Sequence, residues 1–531
     1  MLSFGSTIAQ QSEKPTPEQL KNLEQIVSER NKANEEFKKW LTPEKIKELG
    51  LVVIAGSDAP IDPVTGAMLV GLDIFGKPKF YKTTSNLAAG VTTSTNRVIV
   101  GGDLNLNLTG AGKIIHEWDG GRVRSTHQEL TGRVTQLDGV NTLSDHATHV
   151  AGTMIASGVV NTAKGMATQA VLRASDYNND ISEITTAAAS GARISNHSYG
   201  QQGGWEGNRW HGTPSVSETD DYKFGFYDTD ARDLDRIAFN SPFYLMLWAA
   251  GNDRADTRVT NHQVRNSSGS WVSSTLTRDN DGPYDCILPA QTAKNILTIG
   301  AINSVAANQH TIVSRITMSS FSSWGPTDDG RIKPDLVAQG TSVYSSISGT
   351  DTEYETQQGT SMATPNATGS LALMQDYFRQ IKNREVLSAT LKAYAINTAY
   401  EAGTTTGPDY GFGWGLLNTA GIAIAMQNDG TTSRLFENRL IQGQTYTTTF
   451  NTTGTNIPKL TMVWTDPEAT VFTANGTLLN NRTPKLVNDL DVRLISPSGT
   501  RYQPWVLDPA NPAAAATRGD NIRDNVEQVI G

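Results

Sequence analysis

Several things are scarce in this chain, and each shortage excludes a class of protein. There is one cysteine, Cys286, in 531 residues, so no intrachain disulfide can form. No metal or thiol-catalysis pattern surrounds that thiol. A core of this size needs no covalent staples, so the lack of disulfides does not exclude an extracellular location. No run approaches the roughly 18 to 20 apolar residues of a membrane-spanning helix. The most apolar stretch, residues 243–250, has the length of a buried strand. Basic residues are outnumbered, 44 Lys and Arg against 53 Asp and Glu, for a net charge of −9. That balance argues against nucleic-acid and anionic-membrane partners. Internal repeats and low-complexity tracts are absent. The first eleven residues end in small side chains up to Ala9, like the tail of a secretory signal, yet they lack a basic start and a full apolar run. A trimmed signal and a secreted product are the expectation.

What is present is glycine, 48 residues of it, beside a hydrophobic content of 37%. That combination suits a large folded chain with many turns. The length predicts two or three domains. Residues 1–100 read as a leader with helices from Thr16 to Gly50, a hairpin over 67–83 and a linker from Thr83 to Asn96. From 101 to 435, short apolar runs ending in Gly, Asn or Asp alternate with helical stretches such as 181–189, 230–239 and 361–380. This pattern predicts an α/β unit with a doubly wound, mostly parallel sheet. Function in such sheets gathers at the carboxyl ends of the strands. From 436 to 531, strand-like runs at 445–450, 459–464, 486–494 and 501–506 predict a smaller β-sandwich, incomplete at its last strands.

Four motifs carry chemistry. Gly359-Thr360-Ser361-Met362-Ala363-Thr364-Pro365 puts a serine at a loop-to-helix junction, where its hydroxyl is exposed and its N–H lies at a helix N-terminus. An N-capping serine is the plainer account of such a residue. Gly340-Thr341-Ser342 has the same start but continues as a strand. A serine nucleophile needs a base, and Asp145-His146-Ala147-Thr148-His149 supplies one. His146 is assigned that part, with His149 a packed neighbour; the missing intervening Glu excludes the two-histidine metalloprotease helix. The base needs a carboxylate to fix its tautomer. Asp119, at a strand end before Gly120-Gly121, is preferred over Glu117, which alternation puts on the same face. Ala249-Ala250-Gly251-Asn252 closes the most apolar strand, with an amide able to donate to an oxyanion. Ser198-Tyr199-Gly200, also at a strand end, offers a backbone edge for an extended peptide.

Taken together, these residues resemble the subtilisin-like serine peptidases, in chain order Asp, His, Ser. The resemblance covers about residues 106–425, including Gly325-Pro326, Lys333-Pro334-Asp335 and Tyr410-Gly411-Phe412-Gly413-Trp414-Gly415. Ala147 stands where Gly is usual, and Gly120 where Ser or Thr is usual. Trp118-Asp119-Gly120-Gly121, Ser195–Gly200 and Leu486–Asp491 look like a subgroup with a C-terminal jelly-roll-like domain. The resemblance implies that Asp119 orients, His146 acts as general base then acid, Ser361 attacks, and Asn252 with the Ser361 N–H holds the oxyanion. It implies that Ser198, Tyr199 and Gly200 flank the substrate chain, with Ala249, Ala250 and Gly251 at the specificity pocket. Polypeptide substrates, a monomer, no catalytic cofactor and a structural calcium follow as expectations, without assigned metal ligands. Asp279-Asn280-Asp281-Gly282 with Asp285, and Asp176, Asp180 and Asp520, are the oxygen-rich loops. Met362, if exposed beside the nucleophile, is a site of oxidative inactivation. The competing readings are a catalytically silent, protease-shaped binding protein and an adhesion module built on the sandwich.

Overall fold

The computed structural model describes residues 14–53, 60, 68–73, 76–82, 89–452, 457–474 and 478–531. Part of the predicted linker, residues 83–88, and the signal-like start lie outside the described residues.

Seven strands form one parallel sheet: β1 (Ile114–Asp119), β2 (Val134–Gln136), β3 (Val171–Asp176), β4 (Ile194–His197), β5 (Leu245–Ala249), β6 (Leu297–Ile302) and β7 (Leu336–Gln339). Their order across the sheet is β2-β3-β1-β4-β5-β6-β7, with every neighbouring pair parallel. Such strands are buried on both faces, and alternate residues enter two cores. Ile115, Leu172, Leu245, Leu247 and Ile299 pack under helices Asp145–Ile155 and Thr360–Lys382. Trp118, Met246 and Trp248 face helices Asp180–Ala189 and Thr229–Asn240. The strand order reverses between β1 and β4, so the crevice of this sheet opens beyond their carboxyl ends. Asp119 ends β1, and Ser198 follows β4.

The leader is part of the same body. Helix Pro17–Trp40 opens with a Thr16–Gln19 capping box and Pro17 in its first turn. Its Leu23 and Ile26 are fully buried in the second core, and Arg30 pairs with Asp230 at 2.8 Å and Asp233 at 2.7 Å. The predicted hairpin forms from Met68–Leu72 and Pro78–Lys82. Its second strand then pairs antiparallel with Gly200–Gln201, Lys82 opposite Gly200.

The C-terminal unit is all-β among its described residues, in three two-stranded antiparallel ladders. The predicted strand at 445–450 does not form: no other strand lies beside it among the described residues, and its backbone faces water. The run at 486–494 is reduced to Leu494–Ile495. Its earlier N–H groups go to carboxylates instead, Val487 and Asn488 to Asp466 and Val492 to Glu527. The predicted strand at 459–464 does form, Lys459–Val463 against Val526–Ile530.

Candidate active site

At the end of β1, Asp119 is 1% exposed at its side chain, and its Oδ1 lies 2.6 Å from His146 Nδ1. The Gly120 N–H donates to the same oxygen at 2.6 Å. His146 reaches it from the first turn of helix Asp145–Ile155, whose N-cap Ser144 accepts from Ala147 N–H. At Gly152 an added Cβ would collide with Ser345 and Ser346, so a glycine lets this helix lie close to strand Val343–Ser346. His149 points the other way, fully buried, with Nε2 3.2 Å from the Val343 carbonyl. Burial, then the neighbouring His146, hold its pKa down at about 3, so it is a neutral packing histidine near pH 7.

Ser361 is the second residue of helix Thr360–Lys382, not its cap; Gly359 takes that position. The Ser361 N–H is therefore among the first four of the helix, which have no intrahelical acceptor. Its carbonyl is orphaned too, because the residue four positions on is Pro365, which has no N–H to donate. The Ser198 hydroxyl donates to that carbonyl at 2.6 Å, and Ser361 Oγ donates to the Ser198 carbonyl at 2.9 Å. This reciprocal tie fixes Ser361 at the end of β4. Met362 is fully buried, so the oxidation route, which required its exposure, is closed by the fold. Ser342, the second Gly-Thr-Ser serine, leads into strand Val343–Ser346 as a structural residue.

Asn252 follows β5. Its Oδ1 accepts the Thr360 N–H at 2.8 Å, which turns the amide nitrogen end away from Thr360. Thr360 was missed by the sequence reading, although it precedes the serine in the same motif. Its hydroxyl also donates to the Gly251 carbonyl at 3.2 Å. Ala249 and Ala250 are buried, and Gly251 adopts a φ of 107°, a conformation glycine tolerates best. The expected role of Tyr199 narrows. Its ring is 2% exposed, its hydroxyl donates to Asp180 Oδ2 at 2.9 Å, and its carbonyl accepts from Trp248 Nε1 at 2.6 Å. Tyr199 holds the edge strand from behind. The Gly200 edge is not vacant either, since the chain's own strand Pro78–Lys82 pairs there.

The Subtilase family profile matches residues 80–415, more than half of the chain. The chain belongs to the subtilase family. Among curated relatives it is 25% identical to the serine protease/ABC transporter B family protein tagB of Dictyostelium discoideum, over 60% of this chain and 21% of that protein. With tagD of the same organism it shares 23% over 78% of this chain and 29% of that protein. The C5a peptidase of a Streptococcus pyogenes serotype M3 strain is 35% identical over 18% of this chain and 8% of that protein. The chain thus spans between a fifth and three-tenths of the Dictyostelium relatives it matches. Among solved structures, the Clostridium perfringens CspB protease has a TM-score of 0.46 at 15% identity, covering 64% of this chain and 97% of that one.

Within this subtilase, Gly120 has a structural account. A Cβ there would sit 3.1 Å from the Tyr177 ring, so the space a Ser or Thr side chain would fill is already taken by Tyr177. The calcium expectation fares differently. Asp220, Asp221, Asp279, Asp281 and Asp285 line a cavity of about 170 Å³. However, Asp281 accepts from Trp205 N–H, and Asp221 from Gly204 N–H and Lys223. Among the described residues, no group of three or more His, Cys, Asp or Glu is arranged to hold a metal ion. Among the described residues, no helix is long and apolar enough to cross a membrane.

Proposed function

We propose that this chain is a secreted serine endopeptidase that hydrolyses peptide bonds through an acyl-enzyme on Ser361. The observation that carries the reading is the 2.6 Å contact between His146 Nδ1 and Asp119 Oδ1 at the sheet's crevice, with Ser361 tied to the neighbouring strand end. Asp119 accepts a hydrogen bond from Nδ1–H and leaves the Nε2 lone pair as the base. Nε2 takes the Ser361 hydroxyl proton as Oγ attacks the substrate carbonyl carbon. The oxyanion that forms is met by the Asn252 amide and the Ser361 N–H. His146 then returns the proton to the departing amine, and water repeats the sequence to release the acyl group.

An extended substrate would add to the Ser198–Gly200 edge, with one side chain directed at Ala249–Gly251. The same edge pairs with Pro78–Lys82, so substrate and leader compete for Gly200. Secretion rests on the small-residue start up to Ala9, and polypeptide substrates rest on the family. Phosphonyl-fluoride labelling with peptide mapping, on the intact chain and after trimming of the leader, tests the reading. The expected result is an adduct on Ser361, absent in His146→Ala and faster to form after trimming. A folded protein that stays unlabelled in both forms would instead be a silent, protease-shaped binding protein.

A further inference from the structure

Glu117 lies two residues before Asp119 on β1 and is fully buried, yet neither of its carboxylate oxygens has a hydrogen-bond partner. Asp119 Oδ2 is likewise without one, since Oδ1 takes both the His146 and Gly120 contacts. Residues i and i+2 of a strand project from the same face, about 6.6 Å apart along it, within reach of a glutamate side chain. Other donors near Glu117 are committed elsewhere. Its cross-strand neighbours are Ala174 and Asn196, and the Asn196 amide donates to Ser198 Oγ and accepts from Thr368 Oγ1. The first sixteen residues of helix Thr360–Lys382 carry no ionisable side chain. The ionisable residues of helix Asp145–Ile155 are Asp145, engaged with Ser348, His146 and the neutral His149. Within this core the charged group closest in the chain to Glu117 is Asp119, on the same face of the strand, and a like charge nearby disfavours the ionised form of a buried carboxyl.

We propose that Glu117 is a positioning residue of the triad, its carboxyl group donating a hydrogen bond to Asp119 Oδ2 and so holding Asp119 in line with His146. The inference rests on the serine peptidase reading. Burial, and after it the charge of Asp119, push the Glu117 carboxyl well above the usual carboxylate range, which favours the protonated form that can donate. When Glu117 ionises at higher pH the donor is lost and a second negative charge appears beside Asp119, so activity should fall on the alkaline side.

Two variants test this. Glu117→Gln keeps an N–H donor and cannot ionise; its kcat at neutral pH should stay within about threefold of wild type, and the alkaline loss should disappear. Glu117→Leu fills the same space without a donor. Its kcat should fall about tenfold with KM unchanged, the scale of one charge-assisted hydrogen bond, and its Tm should rise because a buried carboxyl has been removed. The low-field ring proton of His146 in the NMR spectrum should shift in Leu and remain in Gln. Wild-type kcat and pH profile in Glu117→Leu, or an alkaline loss persisting in Glu117→Gln, would overturn the proposal. A wild-type chain that takes no label on Ser361 fails the peptidase reading itself, a separate outcome.

Discussion

Asn252 is held at its carbonyl end by Thr360. Thr360 N–H fixes its Oδ1 at 2.8 Å, which sets the orientation of the amide in advance. A donor arranged in advance costs nothing to reorganise as charge develops, which is why single donors of this kind carry large rate effects. Asn252→Ala is therefore expected to lower kcat by about 10² to 10³ with little change in KM. Steady-state kinetics on a peptide substrate checks it, and an unchanged kcat would remove Asn252 from the oxyanion site. The same local logic separates the two histidines of the His146 motif. One reaches a carboxylate at the strand end, and the other is desolvated against a backbone carbonyl.

At the scale of elements, the crevice depends on how closely helix Thr360–Lys382 lies against helix Asp145–Ile155 and the segment that follows it, and a small residue sets that distance. At Gly369 an added Cβ would meet Met166 Cβ at 2.7 Å and the Met154 carbonyl at 3.1 Å. Gly→Ala inside a helix ordinarily stabilises by about 1 kcal/mol. Here the clash reverses that sign, and Gly369→Ala should lower Tm while also lowering kcat, because the same helix carries Ser361. A Tm above wild type would show that the helix can move aside. The parallel sheet and its two covering layers were legible in the sequence because the alternation of Leu245, Met246, Leu247 and Trp248 and the motif glycines are local signals. The C-terminal ladders were less so. Whether residues 486–492 join a strand or donate to Asp466 and Glu527 is decided by carboxylates distant in the chain, which periodicity does not register. Tyr177, which fills the space at Gly120, and the leader strand on Gly200 were hidden for the same reason.

For the whole molecule the question is what joins the C-terminal unit to the sheet, and the densest contact is a buried lysine. Lys294 Nζ donates to Asp466 Oδ2 at 2.5 Å, Pro467 O at 2.6 Å and Lys485 O at 2.9 Å, so all three of its protons are used. Both side chains of the ion pair are 0% exposed. Asn295 adds two backbone contacts to Asp466 and a third to Asn525. These residues immediately precede β6, at the amino ends of the strands, whereas Asp119, Ser198 and Asn252 stand at the carboxyl ends. Removing one partner of a buried pair leaves the other charge uncompensated, at a cost of about 3–5 kcal/mol. Lys294→Met should therefore lower the unfolding free energy by about that amount. Lys294→Met combined with Asp466→Asn should recover part of it, since no unpaired charge remains and the amide oxygen still offers an acceptor to the Val487 and Asn488 N–H groups. Because the contact is at the far end of the sheet, kcat/KM of the folded fraction should stay near wild type in both variants. Chemical denaturation followed at low denaturant by active-site labelling separates the two effects. A fall in labelling rate without loss of stability would instead make the C-terminal unit part of the catalytic apparatus rather than its support.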